Sequence, residues 1–263
     1  MELSIVLVII GLVIGGVLLG RDLIKAAEIR ATTQQIEKYN TAVNTFRLKY
    51  RGLPGDLKAT DAAAFGLFNT GMTGGGQGDF NGLIQSTNSA AHPDQPDPYG
   101  EGLILWRQLS EAQMIEGNYG KDLTTNGVPP TDQTVVQMGL WMPTAKIGRG
   151  SIVVISLNGK NYFEIYTGLS DSGWAALYTI ASPNAYTIAP ILSPLEVKSI
   201  DQKIDDGLPA SGIVRAANGD NNQYLGVYPA LSEHCTSGST PDNYNIGATY
   251  ATAIVCNLLL EMK

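Results

Sequence analysis

ELSIVLVIIGLVIGGVLLG, residues 2–20, runs directly into RDLIKAAEIRATTQQIEKYNTAVNTFRLKY, residues 21–50. The first part carries one carboxylate, Glu2, and then eighteen uncharged residues that are almost all apolar. At 1.5 Å per residue this run covers about 27 Å, close to the hydrocarbon thickness of a bilayer. The second part is polar but keeps a helical period, with Ile36, Tyr39, Val43, Phe46 and Tyr50 at spacings of three and four. No glycine or proline interrupts residues 21–50, and the break comes at Arg51-Gly-Leu-Pro54-Gly. The pattern predicts one helix of about fifty residues, apolar all round in its first half and apolar along one stripe in its second. Such a stripe packs on a globular body.

A secretory signal peptide has a basic start, a shorter apolar core and a small-residue cleavage site. Here the start is acidic, the core is long and no A-x-A follows. A carboxylate at the head of a membrane-length helix is costly in lipid unless something positive meets it. The bland role for Glu2 is an acidic residue favoured at a helix N-terminus by the dipole. Four glycines, Gly11, Gly15, Gly16 and Gly20, interrupt the run. Each costs roughly 1 kcal/mol of helix propensity against alanine in water. Their two G-x-x-x-G spacings also permit close helix approach in lipid. Ordinary glycine use in a membrane span, and a helix that packs tightly and loses regular structure locally, both fit.

The whole chain has 263 residues, net charge −7, 30 glycines, 13 prolines and only 16% charged residues. That length allows one sizeable domain plus an extension. The acidic balance and the absence of basic runs argue against nucleic acid as the main partner. Low charge suits a subunit that buries weakly polar surface against copies of itself. The organisation read from the chain is an apolar helix over 1–20, its amphipathic continuation over 21–52, and a head over 53–263. Within the head, 60–102 reads as a long Gly/Asn/Asp/Pro-rich excursion with a short helix at 62–68.

The remaining elements are short. Residues 104–116 read as a helix with Leu105, Leu109, Ala112 and Ile115 inward. SIVVISLNGKNYFEIYTG, 151–168, reads as a hairpin turning at Asn158-Gly159. A strand is expected at 175–180. Ser193 and Pro194 open a helix to about Ile204, and 213–216 reads as a strand. The apolar C-terminal segment around Cys256 is read as a short buried strand over helix. The fold class is therefore α+β: a protruding N-terminal helix packed on an antiparallel sheet with helical and loop insertions.

Two cysteines, Cys235 and Cys256, bracket twenty turn-rich residues. An exported chain meets an oxidising compartment, and one disulfide there would stabilise by roughly 3 kcal/mol. Two buried free thiols are the alternative.

Catalytic patterns are missing from the sequence. Gly168-Leu-Ser-Asp-Ser-Gly173 has the wrong spacing for a nucleophile elbow, and Gly74-Gly-Gly-Gln-Gly78 lacks the Lys and Ser or Thr of a phosphate loop. His92 and His234 are too isolated for a zinc site. Two acidic strings are weak calcium candidates. Asp79 and Asn81 cover part of an EF-hand-like loop, and Asp201, Asp205, Asp206 and Asp220 could meet around a turn. Solvated or turn-capping carboxylates are the simpler reading of both. No cofactor is implied.

ELSIVLVIIGLVIGG leading into a long amphipathic helix resembles the N-terminus of type IV pilins and type II secretion pseudopilins. KYRGLPGDL (49–57), ILWRQLSEAQMIEG (104–117), IDQKIDDGLPASGIVRA (200–216) and the Cys235–Cys256 region resemble later parts of such proteins more loosely. The resemblance implies cleavage by a prepilin peptidase, methylation of the new N-terminus, and storage in the inner membrane. An assembly machinery then stacks identical subunits through their apolar helices. Glu2 aligns with the family's glutamate, which sets axial register by meeting a neighbour's amine. This chain departs from the family pattern at its start, where Met1 stands directly before Glu2. Within the family, the size of the head and the cysteine pair favour an extracellular pilus subunit, serving adhesion or motility, over a periplasmic pseudopilus. A membrane-anchored periplasmic binding module or enzyme is the alternative from another class.

Overall fold

The structure is a computed structural model. It describes residues 2–69, 78–85, 100–123, 139–157, 159–166, 191–218, 235–237 and 243–263, without the side chains of residues 2, 3, 18, 166, 217 and 218. One helix, α1, runs unbroken from Glu2 to Tyr50. Arg51 ends it by taking the left-handed region at φ 60°. Its N–H still reaches the Arg47 carbonyl at 2.9 Å.

The second half of α1 is a core element. Ile36, Tyr39, Val43, Phe46 and Tyr50 are all buried, and Ile29 and Ala42 join them. Two polar residues share this face. Thr32 and Thr33 are buried because their hydroxyls donate to the carbonyls of Glu28 and Ile29, one turn back. Gln35 fastens the helix to the loop before the sheet, donating to Thr144 O at 2.8 Å and accepting from Lys146 N at 2.9 Å.

Two short helices follow: α2 (Ala59–Ala64) and α3 (Glu101–Glu111). Both differ in extent from expectation, and the reason is the same. Gly66 is left-handed, with Gly66 N–H bonded to Ala63 O and Leu67 N–H to Ala62 O, which closes α2 in a Schellman motif before 68. Gln113, at φ 57°, plays that part for α3: Gln113 N–H meets Ser110 O and Met114 N–H meets Leu109 O. The helix therefore stops at Glu111 instead of 116, and it begins three residues earlier than expected, at Glu101.

The sheet has four strands, β1 (Ser151–Leu157), β2 (Lys160–Tyr166), β3 (Val214–Asn218) and β4 (Cys256–Glu261). Their order is β1-β2-β4-β3 and every pairing is antiparallel. Leu157 pairs with Lys160 across the hairpin, and Gly159 supplies φ 73°; Asn158 lies outside the described residues. β3 starts one residue later than expected and runs two further. β4 shows no alternation because Cys256 to Leu260 are buried on both faces. The strand expected at 175–180 lies outside the described residues. Between β2 and β3 comes α4 (Pro194–Ile204), which opens on Ser193. The Ser193 hydroxyl accepts from Glu196 N while the Glu196 carboxylate accepts from Ser193 N, a capping box with Pro194 in the first turn.

α1, α3 and α4 pack around one core with the sheet. Tyr39 meets Trp106 of α3 edge-on, with ring centroids 4.9 Å apart, and Trp106 lies 6.2 Å from Phe163 of β2. Gly102 allows α3 to close on β1, since a Cβ there would stand 2.8 Å from the Val154 carbonyl. The chain is thus α+β: a long N-terminal helix whose second half is seated on a small antiparallel sheet.

Because Phe46 is fully buried and Leu12 is 75% exposed, the two halves of α1 should respond differently to truncation. Denaturant unfolding of the detergent-solubilised chain should show Phe46→Ala losing about 3–5 kcal/mol. Leu12→Ala should stay within about 0.5 kcal/mol of the parent.

Candidate functional site

The first half of α1 is an unpartnered apolar surface among the described residues. Every described large apolar side chain from Ile5 to Leu19 is exposed. Among the described residues this is the one helix long and apolar enough to cross a membrane, and none of its most apolar stretch is buried. A Cβ placed on Gly11, Gly15, Gly16 or Gly20 would meet nothing within 4 Å. Among the described residues no contact inside one subunit requires those glycines. Glu2 opens the helix, but its side chain lies outside the described residues.

The two cysteines form a disulfide between Cys235 and Cys256, with Cα atoms 5.2 Å apart and both residues buried. The bridge ties the loop that carries Tyr244 to the first residue of β4. Tyr244 in turn donates its hydroxyl to Asp201 of α4 at 2.7 Å, and Asp201 also accepts from Gly207 N at 3.2 Å. Burial pushes the Asp201 carboxyl up to about 6, with the Tyr244 hydroxyl working in the opposite direction.

Both acidic strings turn out to hold backbone. Asp79 does not stand alone with Asn81; the fold brings Asp56 and Glu101 to it, with carboxylate oxygens of all three within 4.8 Å. Asp56 accepts from Phe80 N and Gly82 N, each at 2.8 Å. Glu101 accepts from Gly78 N at 2.5 Å and Gln85 N at 2.6 Å. Four N–H groups thus pin the segment 78–85 to the helix exit and to the start of α3. Asn81 completes the turn, donating to Asp79 at 3.0 Å and to Gln85 at 2.7 Å. Glu101 is fully buried, and desolvation raises its carboxyl to about 9, with the Asp56 charge adding to the effect and the two N–H bonds opposing it. Asp56 is raised to about 6 for the same leading reason.

Asp201, Asp205 and Asp206 also gather within 4.8 Å. Asp205 accepts from Ile213 N and Val214 N, and Asp206 accepts from Leu208 N at 2.8 Å and the Ser211 hydroxyl. Asp220 lies outside the described residues. Each trio could face one cation, but calcium takes six to eight oxygen ligands. Most of their oxygens accept from backbone N–H, amide or hydroxyl donors, and those bonds fix the turns around both trios.

Sequence reasoning missed Asp56 and Glu101. Asp56 looked like part of the helix exit and Glu101 like a loop end, and 44 residues separate them. The one available signal was the incompleteness of the Asp79–Asn81 string, whose missing carboxylates come from elsewhere in the chain.

No protein-family model, no curated protein and no solved structure matches this chain.

A carboxyl with a raised folded-state value holds its proton more tightly in the native chain than in the unfolded one. Its burial is therefore best tolerated at low pH and opposes folding increasingly as pH climbs toward the folded value. Melting temperature should fall between pH 5 and pH 9, the region bounded above by the value of about 9 for Glu101. Glu101→Gln should flatten that slope. A slope unchanged in the variant would show that Glu101 does not carry it.

Proposed function

We propose that this chain is a filament-forming structural subunit of the type IV pilin kind, held in a membrane by its apolar helix before assembly and then stacked with identical copies. The observation that supports this reading most is the division of a single helix. One face of its second half is buried in the head, and in its first half, 49 residues of α1 being continuous, every described large apolar side chain from Ile5 to Leu19 is exposed. A simple anchor needs no rigid connection to the domain it tethers. A polymer does, because the direction of the buried half then sets the direction in which the exposed half meets its neighbours.

The energetics favour copies as partners. Removing a large apolar side chain from water is worth roughly 1.5–3 kcal/mol. An exposed apolar surface of this extent marks an interaction site on any soluble chain. The glycines Gly11, Gly15, Gly16 and Gly20 have open space around them within one subunit. They allow close approach of a neighbouring helix and local loss of helical structure at little steric cost. Low overall charge and a disulfide-bonded head suit an extracellular filament. In this reading Glu2 pairs with the amine of a neighbour and sets axial register, the role that the family resemblance implies. The partners are the inner membrane, a prepilin peptidase, the assembly machinery and other copies.

Electron microscopy of sheared cell-surface material, with antibodies to the head, should show labelled filaments. Their yield should drop sharply in a Glu2→Ala strain while the chain persists in the membrane. Normal filament yield from that strain would remove the register role, and absence of labelled filaments from the parent strain would remove the polymer.

A further inference from the structure

The head end of α1 borders a groove of about 770 Å³ between the helix, the 80–82 turn and the residues after β4. Leu48, Leu53 and Phe80 give it an apolar wall, and Arg47, Arg51 and Lys263 give it cations. Lys58 adds a fourth cation 5.9 Å from the centre of the Phe80 ring. None of the four has an ion pair with a described residue. Two carboxylates lie close by, Asp56 in the wall and Asp79 next to Phe80 in the chain. Asp56 is engaged by Phe80 N and Gly82 N, and Asp79 by the backbone and side chain of Asn81. The groove is therefore positive as well as partly apolar.

Neither the subunit's own head nor a bilayer fills it. Leu48 is 86% exposed and Phe80 48%. At about 100° per residue, Leu48 stands about 160° around the helix from both Phe46 and Tyr50, which face the head. Leu48 also lies about 42 Å along α1 from Gly20, where the uncharged run ends, beyond the reach of lipid headgroups around that run.

The charges of the chain are unevenly divided. Residues 1–52 carry seven Lys and Arg against four Asp and Glu, whereas residues 53–263 carry ten against twenty. Five of those twenty acids, Asp56, Glu101, Glu164, Glu196 and Asp201, are buried. Leaving them out, the head still has more acids than bases. The polar half of α1 repels its like in another copy and attracts another copy's head. One such pairing exists within the subunit, where Lys38 of α1 meets Glu116 of the head at 2.9 Å.

We infer that the groove at Arg47 and Arg51 seats an acidic part of the head, residues 53–263, of a second copy. Its carboxylates meet the four cations while Leu48 and Phe80 lose their exposure to water. Charge complementarity of this kind selects the partner surface and its orientation more than it adds affinity. This inference rests on the polymer proposed above. It adds that the apolar halves of α1 meet one another, whereas the polar half meets a neighbouring head.

Crosslinking tests it. The two native cysteines are paired, so Leu48→Cys offers a single thiol for a benzophenone maleimide. Filaments grown by detergent dilution from mixed normal and heavy-nitrogen chains separate crosslinks between copies from those within one. Irradiation should join the label to residues 53–263 of a second copy. Attachment of other copies only within 1–52, or none between copies, would overturn this contact and leave the polymer standing. A parent chain that forms no filaments would overturn both. If the labelled chain does not assemble, filaments carrying Arg47→Lys and Arg51→Lys, treated with a carbodiimide, decide. A mixed-isotope amide should join an introduced amine at 47 or 51 to a head carboxylate. Its absence from the covalent dimers would refute the contact.

Discussion

Everything in this structure follows from the continuity of one hydrogen-bonded helix across two surroundings. Residues 29–50 of α1 are fixed by packing on Trp106, Phe163 and the rest of the core, while every described large apolar side chain from Ile5 to Ile24 is exposed. A hinge between the halves would decouple them. None exists in the sequence, since no glycine or proline falls between Gly20 and Gly52. The head therefore acts as a handle that orients an exposed apolar rod. The rod's needs, for lipid or for copies of itself, are needs of the whole subunit.

The head is held by two kinds of fastening, apolar and polar. Aromatic contacts among Tyr39, Trp106 and Phe163 join α1, α3 and β2. Buried carboxylates then fix the irregular parts: Asp56 and Glu101 hold the turn beside the helix exit, and Asp201 holds the disulfide loop through Tyr244. The first trio lies beside a groove lined by Arg47, Arg51 and Phe80, so the same turn that the carboxylates fix also presents Phe80 to that groove.

What was legible in the sequence is what local rules determine. The apolar run, the stripe from Ile36 to Tyr50, the Ser193-Pro194 start of α4 and the hairpin at Gly159 each carry a short-range signal, and each has its counterpart in the fold. Helix ends were harder. Gly66 is an ordinary stop signal, but α3 ends at a left-handed Gln113, a residue that gives no such warning. Thr32 and Thr33 lie before the apolar stripe that starts at Ile36, yet they are buried, because a helix lets a hydroxyl bond the carbonyl one turn back. The union of Asp56, Asp79 and Glu101 was not legible at all, since only tertiary structure brings such distant residues together. The groove was equally hidden: Arg47, Phe80 and Lys263 come from three separate parts of the chain.

The central claim is that the exposed half of α1 requires a partner and that copies of the chain provide it. Sedimentation of the purified full-length chain as detergent is diluted below its critical concentration tests this most directly. Growth into large, elongated assemblies is the predicted result, with Leu7→Ser, Leu12→Ser and Val13→Ser together abolishing it while the head still melts cooperatively. A full-length chain that stays monomeric and soluble without detergent, its head folded, would contradict the account.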